Sequence, residues 1–174
     1  MAGKKKATLK KKPASKLKVG GTAPAFSLKT YGAEKVLLAD YLGKWVVLYF
    51  YPKDMTPGCT TESCDFNDNL SKLRSSKAVV LGVSKDSVER HEKFRDKYGF
   101  KFPLLADETG AVCKKYGVWQ EKSLYGRKFM GIVRTTFIID PKGKIAKIYS
   151  GVKVKGHVDD VIDSIAALAQ CVAV

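Results

Sequence analysis

The sequence predicts an α/β domain in which helices cover both faces of a mixed central sheet. First, the apolar run WVVLYFY, within residues 44–51, is typical of a strand buried on both faces. Second, strand and helix patterns alternate after this run, as they do when helices pack on both faces of a sheet. Third, the turn sequence DPKG at 140–143 joins two strand patterns, so an antiparallel hairpin makes the sheet mixed.

The predicted elements follow one another closely from residue 20 onward. In chain order they are a strand over 44–51, a helix over 57–73, a strand over 78–83, a helix over 86–98 that ends at Gly99, a short strand over 102–105, a short helix over 108–116 that ends at Gly117, strands over 135–139 and 144–149, and an amphipathic helix over 158–172. Ligands bind such sheets beyond the carboxyl ends of the strands. We therefore expect the active site just after Tyr51.

The composition is that of a single globular domain, with 174 residues of which 45% are hydrophobic. No apolar run approaches the roughly 20 residues of a membrane-spanning helix. The basic N-terminus is not followed by the apolar stretch of a secretory signal. We therefore expect no membrane association and a reducing compartment, which is the cytoplasm, or the nucleus if the organism is eukaryotic.

Residues 1–19 are predicted to form a flexible Lys-rich tail, and residues 20–174 the folded domain. The tail holds eight lysines and no acidic residue, which leaves about +7 of the net charge of +15 on the rest of the chain. A solvated tail without a specific role is one interpretation. A nuclear-localisation or weakly nucleic-acid-binding arm is another. A targeting presequence is disfavoured, because such segments are rich in arginine.

Cysteine is the residue type on which the function depends. The four cysteines are Cys59, Cys64, Cys113 and Cys171. In a reducing compartment, cysteines are usually buried, metal-bound or reactive. The chain has only two histidines and neither a P-loop nor a GxGxxG fingerprint, so we expect no metal and no organic cofactor.

Cys59 falls in the first turn of the helix that follows the buried strand. Thr56 suits the N-cap and Pro57 the first helical position. The unpaired N–H groups and the positive dipole end at this point stabilise a thiolate, the reactive form of cysteine. Cys59 also begins an apolar helical stripe that includes Phe66 and Leu73. An ordinary core cysteine is the alternative, but the Thr-Pro-Gly sequence at a strand-to-helix junction favours a functional thiol.

Cys64 follows Cys59 by five residues in the same predicted helix. Ideal helix geometry separates their Cα atoms by about 8.7 Å, whereas a disulfide needs about 7 Å or less. The two cysteines can therefore bond only if the first turns unwind. An inert surface cysteine beside Asp65 and Asp68 is the other interpretation. Metal binding by the pair has little support, because two further ligands at suitable spacing are not evident.

The segment YFYPKDMTPGCTTESCDF strongly resembles the active-site segment of peroxiredoxins, most closely that of the bacterioferritin comigratory protein (peroxiredoxin Q) subfamily. The similarity continues through GVWQEKSLYGRKFMGIVRTTFIID to the C-terminal helix and covers roughly residues 17–170. It implies a thioredoxin-like fold and the thiol-dependent reduction of hydrogen peroxide and organic hydroperoxides to water and alcohols.

The resemblance also implies a role for each residue of this segment. Cys59 matches the peroxidatic cysteine, whose thiolate becomes a sulfenic acid. Thr56 matches the hydroxyl that hydrogen-bonds the thiolate and the peroxide, and Pro52 the residue that shields the pocket from water. Arg134 matches the active-site arginine, for which Arg127 is a weaker candidate.

Cys64 lies where part of the subfamily has its resolving cysteine. Other members place it near position 95, which is Arg95 here, so Cys64 is the better candidate. Cys113 is expected to pack in its helix, and Cys171 could pair between molecules. Thioredoxin is the implied reductant, and a monomer the implied state.

Three other functions are compatible with the sequence. A general thiol–disulfide oxidoreductase normally uses Cys-x-x-Cys, whereas the spacing here is Cys-x-x-x-x-Cys. A nucleic-acid-binding protein would use the basic tail, although its lysines lack interleaved aromatic residues. A peroxide sensor or a holdase would use the same cysteine chemistry.

Overall fold

The apolar run Trp45–Phe50 forms the central strand in a computed structural model that describes residues 17–172. All six of its residues are buried. The strand at residues 78–84 pairs with it in parallel on one side, and the strand at residues 135–139 pairs with it antiparallel on the other. A strand with a neighbour on each side and a covered surface above and below buries every side chain, which explains the continuous apolar sequence.

The described residues contain nine strands and five α-helices. The strands are β1 Ser27–Lys29, β2 Lys35–Leu37, β3 Trp45–Phe50, β4 Ala78–Ser84, β5 Leu104–Ala106, β6 Trp119–Leu124, β7 Arg127–Ile132, β8 Thr135–Ile139 and β9 Ile145–Ser150. The helices are α1 Pro57–Asp68, α2 Leu70–Ser75, α3 Val88–Tyr98, α4 Ala111–Lys115 and α5 His157–Val172, with two short 3₁₀ turns at Tyr31–Ala33 and Leu38–Tyr41.

Seven of these strands form a mixed sheet in the order β2-β1-β5-β4-β3-β8-β9. Alternate residues of β3 enter two separate apolar clusters. Val47 and Tyr49 face α1, α2, α3 and α5, whereas Val46 and Leu48 face α4 and the N-terminal strands. The predicted α/β class, mixed sheet and helices on both faces are thus confirmed.

The predicted helix over 57–73 is two helices, because the chain bends at Asn69. The N–H of Asn69 bonds the carbonyl of Phe66, three residues back, and its side-chain amide donates to the Asp65 carbonyl at 2.8 Å. Such local bonds compete with the regular helical pattern. The predicted apolar stripe nevertheless lies inward on both helices, and Cys59, Phe66 and Leu73 are all buried.

Two of the shorter predicted elements differ at their ends. The helix expected over 108–116 begins only at Ala111, because Gly110 lies in the left-handed region with φ 75°. The strand expected over 102–105 is Leu104–Ala106. The helix expected to end at Gly99 does so, with φ 70° at that glycine.

The hairpin of β6 and β7 was not predicted. Its strands are mostly exposed and polar, so they lack the apolar alternation that indicates a strand. Its two turn residues, Tyr125 and Gly126, have φ of 50° and 75°, as a tight hairpin turn requires. This hairpin stands apart from the main sheet and borders the loop that follows β3.

The predicted tail, residues 1–19, lies for its first sixteen residues outside the described part of the chain. Of residues 17–19, Leu17 packs against the core. The N–H of the following residue, Gly20, donates to the Ile145 carbonyl at 2.7 Å. Contacts with the core therefore begin at Leu17, and the division into tail and domain stays a prediction. None of the helices in the described residues has the length and apolar character needed to span a bilayer.

Candidate active site

The loop from Tyr51 to Thr56 carries the chain from the carboxyl end of β3 to the start of α1. Thr56 occupies the N-cap position of α1 and Pro57 the first helical position. Cys59 is therefore the third helical residue, in the turn whose N–H groups have no partner within the helix. The Thr56 hydroxyl donates to the Lys53 carbonyl at 2.8 Å and does not cap the helix.

Cys59 and Arg134 meet at this helix terminus. The Cys59 side chain is almost fully buried, with 1% of the residue exposed. Arg134, in the connection between β7 and β8, donates from Nη2 to Cys59 Sγ at 3.3 Å. The backbone around Arg134 is held in turn, because its carbonyl accepts from the Val152 N–H at 2.9 Å. The site thus combines a helix N-terminus with a guanidinium, two environments that stabilise a thiolate.

Glu62 is the second partner of Arg134, and it was not among the residues predicted from the sequence. Its carboxylate Oε1 lies 3.4 Å from Arg134 Nη1, in an ion pair that lacks hydrogen-bond geometry. Burial raises the pKa of the Glu62 carboxyl to about 7, although Arg134 acts in the opposite direction. Burial alone would lower the pKa of Arg134, but the charges of Glu62 and Cys59 raise it overall. The i,i+3 spacing from Cys59 was a signal that could have identified Glu62.

Asp54, in this loop, and His91, in α3, form a second buried pair. His91 Nδ1 lies 2.6 Å from Asp54 Oδ2, and the Tyr51 hydroxyl donates to Asp54 Oδ1 at 2.6 Å. Sequence reasoning could not find this pair, because the two residues lie on different elements and 37 positions apart. Met55, between Asp54 and Thr56, has φ 62°, which is an uncommon conformation for a residue with a side chain.

Pro52 and Lys53 form one wall of an open cleft of about 520 Å³ next to the loop. The opposite side of the cleft belongs to the β6–β7 hairpin and includes Trp119, Phe129 and Met130. Phe129 and Met130 are 46% and 45% exposed, which gives this side of the site an apolar rim. The cleft is large enough to admit an organic molecule beside the loop that leads to Cys59.

Cys64 lies on the unbroken helix α1, as expected, so ideal geometry keeps its Cα about 8.7 Å from that of Cys59. It is half-buried, with a free thiol that packs against the apolar cluster under α1 and α5. Burial, together with the charges of Asp68 and Asp65, raises the pKa of the Cys64 thiol. The two thiols are thus close along the helix but not in bonding position.

The remaining candidates lie away from this centre. Cys113 is buried in α4, where burial and the neighbouring Asp107 carboxylate raise the pKa of its thiol. Cys171 is exposed near the end of α5. Arg127 is exposed at the start of β7, and Arg95 stacks its guanidinium on the Tyr31 ring at 4.1 Å.

Comparison with known proteins identifies the family to which this arrangement belongs. A family model described as AhpC/TSA matches residues 19–148. Peroxiredoxin Bcp of Bacillus subtilis is 44% identical over 154 residues, which cover 88% of this chain and 98% of that protein. Peroxiredoxin Bcp of Escherichia coli K12 is 44% identical over 147 residues, which cover 84% of this chain and 94% of that protein.

Solved structures agree. Bacterioferritin comigratory protein of Xanthomonas campestris, studied for its alkyl peroxide reduction activity, matches with a TM-score of 0.79 at 43% identity, over 83% of this chain and 92% of that chain. A PrxQ mutant of Xylella fastidiosa matches with a TM-score of 0.84 at 41% identity, over 89% of this chain and 99% of that chain. These matches confirm the thioredoxin-like peroxiredoxin fold.

The expected peroxidase function is confirmed at the level of the family, and with it a peroxide substrate and a thiol reductant. The chain belongs to the AhpC/TSA family, in which it is a peroxiredoxin of the Bcp/PrxQ type, an enzyme that reduces peroxides with a cysteine thiol.

Proposed function

We propose that Cys59 is the thiol that attacks the peroxide, with Arg134, Thr56 and Pro52 around it, and that Cys64 resolves the oxidised form. The observation that carries this proposal is the 3.3 Å contact from Arg134 Nη2 to Cys59 Sγ. A guanidinium at this distance stabilises the thiolate by its charge and by a donated hydrogen bond. Its other donors are then available to orient the peroxide oxygens.

In the first step the Cys59 thiolate attacks the terminal peroxide oxygen. An S–O bond forms while the O–O bond breaks, and the leaving alkoxide or hydroxide takes a proton to give an alcohol or water. The sulfur is oxidised to a sulfenic acid and the peroxide is reduced. The Arg134 guanidinium offsets the negative charge that develops on the leaving oxygen.

Thr56 and Pro52 prepare the entrance to this step. The Thr56 hydroxyl donates to the Lys53 carbonyl, so its lone pairs can accept a hydrogen bond from the peroxide O–H. Pro52 has no N–H of its own and lines the cleft beside the loop. Together they admit a polar O–O group and limit the access of bulk water.

In the second step Cys64 attacks the sulfenic sulfur. An S–S bond forms, the S–O bond breaks, and the departing hydroxide takes a proton to give water. Because the intact helix keeps the Cα atoms about 8.7 Å apart, the first turns of α1 must unwind before this bond can form. A dithiol of the thioredoxin type then reduces the disulfide by exchange. A monomer suffices for this cycle, since both cysteines belong to one chain. The cytoplasm is the compartment proposed for it.

Peroxide consumption with a thioredoxin system tests this cycle directly. Wild type is compared with Cys59→Ser, Cys64→Ser and Cys113→Ser, and the oxidised proteins are examined by mass spectrometry. We expect no turnover for Cys59→Ser, a Cys59–Cys64 disulfide in wild type, and normal turnover for Cys113→Ser. Turnover that survives Cys59→Ser would refute the assignment, and full turnover of Cys64→Ser would mean that another thiol resolves the sulfenate.

Nucleic-acid binding through residues 1–19 is a second activity that could accompany the first. The observation that favours it is the cluster of eight lysines without an acidic residue. Binding that falls steeply with salt and disappears when residues 1–16, which hold seven of the eight lysines, are deleted would support it. Salt-independent or undetectable binding would contradict it.

The insulin reduction assay tests another alternative, a general disulfide reductase, which would act without peroxide.

A further inference from the structure

The loop that leads to Cys59 contains a carboxylate that the peroxidase cycle does not use. Asp54 is buried, with 1% of the residue exposed. Its Oδ1 accepts from the Tyr51 hydroxyl at 2.6 Å, and its Oδ2 faces His91 Nδ1 at 2.6 Å. A buried carboxylate is costly unless its oxygens are hydrogen-bonded and its charge is compensated. Asp54 satisfies both conditions through Tyr51, the first residue of the loop, and His91 of α3.

The protons of this cluster can be counted from the geometry. His91 Nε2 lies 3.1 Å from the Leu105 carbonyl, which can only accept, so Nε2 carries a proton. Two lone pairs would repel each other at 2.6 Å, so a second proton must lie between Nδ1 and Oδ2. Whether that proton belongs to His91 or to Asp54, the pair as a whole has no net charge. It can therefore remain in the interior, where both side chains are 0% exposed, without a further counter-ion.

The backbone of the loop is held at the same place. The Asp54 N–H donates to Asp86 Oδ2 at 2.9 Å, and Asp86 in turn pairs with Arg90 at 3.0 Å. The next residue, Met55, has the left-handed φ of 62°. A strained conformation of this kind persists only where the surrounding contacts enforce it. The side chain and the backbone of Asp54 supply such contacts on one side of Met55, and the start of α1 does so on the other.

We propose that the Asp54–His91 pair positions the peroxidatic site, in that it fixes the loop that holds the start of α1 and therefore Cys59 against Arg134. The proposal rests on the proposed function of Cys59. It makes Asp54 and His91 positioning residues, since they act through the loop. In addition, His91 belongs to α3 and its Nε2 contacts the Leu105 carbonyl of β5, so the pair stays in place when the first turns of α1 unwind toward Cys64.

Different effects on the two steps of the cycle follow from this role. Oxidation of Cys59 needs the thiolate, the guanidinium and the peroxide in the correct relative positions. A misplacement of about 1 Å can lower the rate about a hundredfold. Disulfide formation already requires α1 to open, so a looser loop should not slow it. A general loss of stability would not separate the two rates in this way.

The test uses stopped-flow measurement of Cys59 oxidation by hydrogen peroxide and, separately, of disulfide formation, on the full chain. Asp54→Ala should lower the oxidation rate constant about a hundredfold and leave disulfide formation as fast as in wild type or faster. Asp54→Asn should recover most of the oxidation rate, because its amide can accept from Tyr51 and donate to His91. Since Asp54→Ala could unfold the protein, the Tyr51→Phe variant provides a milder test.

Tyr116→Phe is the matched control for Tyr51→Phe. It removes one hydroxyl from a buried tyrosine, whose bond to the Pro24 carbonyl at 2.7 Å lies away from the loop. We expect Tyr51→Phe to lower the oxidation rate constant about fivefold and Tyr116→Phe to leave it unchanged. Equal rates for both variants, or an Asp54→Asn variant as slow as Asp54→Ala, would overturn the positioning role. Peroxide turnover in Cys59→Ser would instead refute the proposed function.

Discussion

Glu62 and Arg134 form an ion pair in the protein interior, with Oε1 and Nη1 3.4 Å apart. The carboxylate lies one helical turn after Cys59, and the same guanidinium reaches the thiol through Nη2 at 3.3 Å. Arg134 is therefore held between two groups of α1. Because Glu62 is 0% exposed, water does not screen these charges, and the charge on any one of the three groups, thiol, guanidinium or carboxylate, affects the other two.

Substitution of Arg134 should have the largest effect on peroxide reduction after substitution of Cys59. Arg134→Met removes the charge and the donated bond at Cys59 Sγ, and we expect the rate constant for Cys59 oxidation to fall about a hundredfold. Arg134→Lys should recover little of it, since an ammonium cannot contact Cys59 and Glu62 as a planar fork does. Arg127→Met, on the exposed hairpin, is the control. An equal loss in both methionine variants would contradict the role of Arg134.

The stability of the protein should decrease as Glu62 ionises. Burial raises the pKa of its carboxyl from the ordinary 4.5 to about 7, so between these values the folded state binds more protons than the unfolded state. The contribution of Glu62 to the free energy of unfolding is therefore fully present below pH 4.5 and is lost as the pH rises through 7. Glu62→Gln cannot titrate. Relative to wild type, it should become more stable by about 2 to 3 kcal/mol between pH 5 and pH 8.

Urea unfolding at pH 5 and at pH 8 measures this difference. Because the amide itself changes the free energy of unfolding by the same amount at both pH values, the change between them reports only the titration of Glu62. Glu34→Gln, at an exposed glutamate, is the control. Parallel pH profiles for wild type and Glu62→Gln would show that Glu62 does not titrate in this range.

The sequence predicted the core of the fold because burial leaves a direct pattern in it. The run that became β3 is apolar at every position, since both of its faces are covered. The N-cap Thr56 and the following Pro57 likewise predicted where α1 starts. The β6–β7 hairpin escaped prediction because its strands are exposed, and the break at Asn69 because a single side chain decides it.

The site was predictable only where one segment carries its residues. Thr56 and Cys59 belong to one segment, and Arg134 was expected from the resemblance; the structure brings its Nη2 to 3.3 Å from Cys59 Sγ. For the partners that hold them the sequence carries little signal: Glu62 has only its i,i+3 spacing from Cys59, and His91 looks like any lone histidine. Their roles depend on tertiary contacts between α1, α3 and the β7–β8 connection.

Disulfide formation should become faster when acidic charge near Cys64 is removed. Burial and the charges of Asp68 and Asp65 raise the pKa of the Cys64 thiol, which lowers the fraction of the attacking thiolate at neutral pH. Asp68→Asn should therefore lower that pKa and speed formation of the Cys59–Cys64 disulfide about twofold to threefold. Disulfide formation in wild type should also accelerate as the pH rises. Asp96→Asn, on α3, is the control, and the same acceleration there would contradict the local effect.

Gly58 leaves room for the Arg134 guanidinium, so Gly58→Ala should impair activity without harming the fold. A Cβ at this position would lie 3.2 Å from Arg134 Nη2, the atom that contacts Cys59. Alanine is favoured over glycine in helices by up to about 1 kcal/mol, so the thermal midpoint should stay the same or rise. We expect Cys59 oxidation to slow about tenfold. In the double variant with Arg134→Met, Gly58→Ala should cost nothing further, whereas an additive loss would mean that it acts by another route.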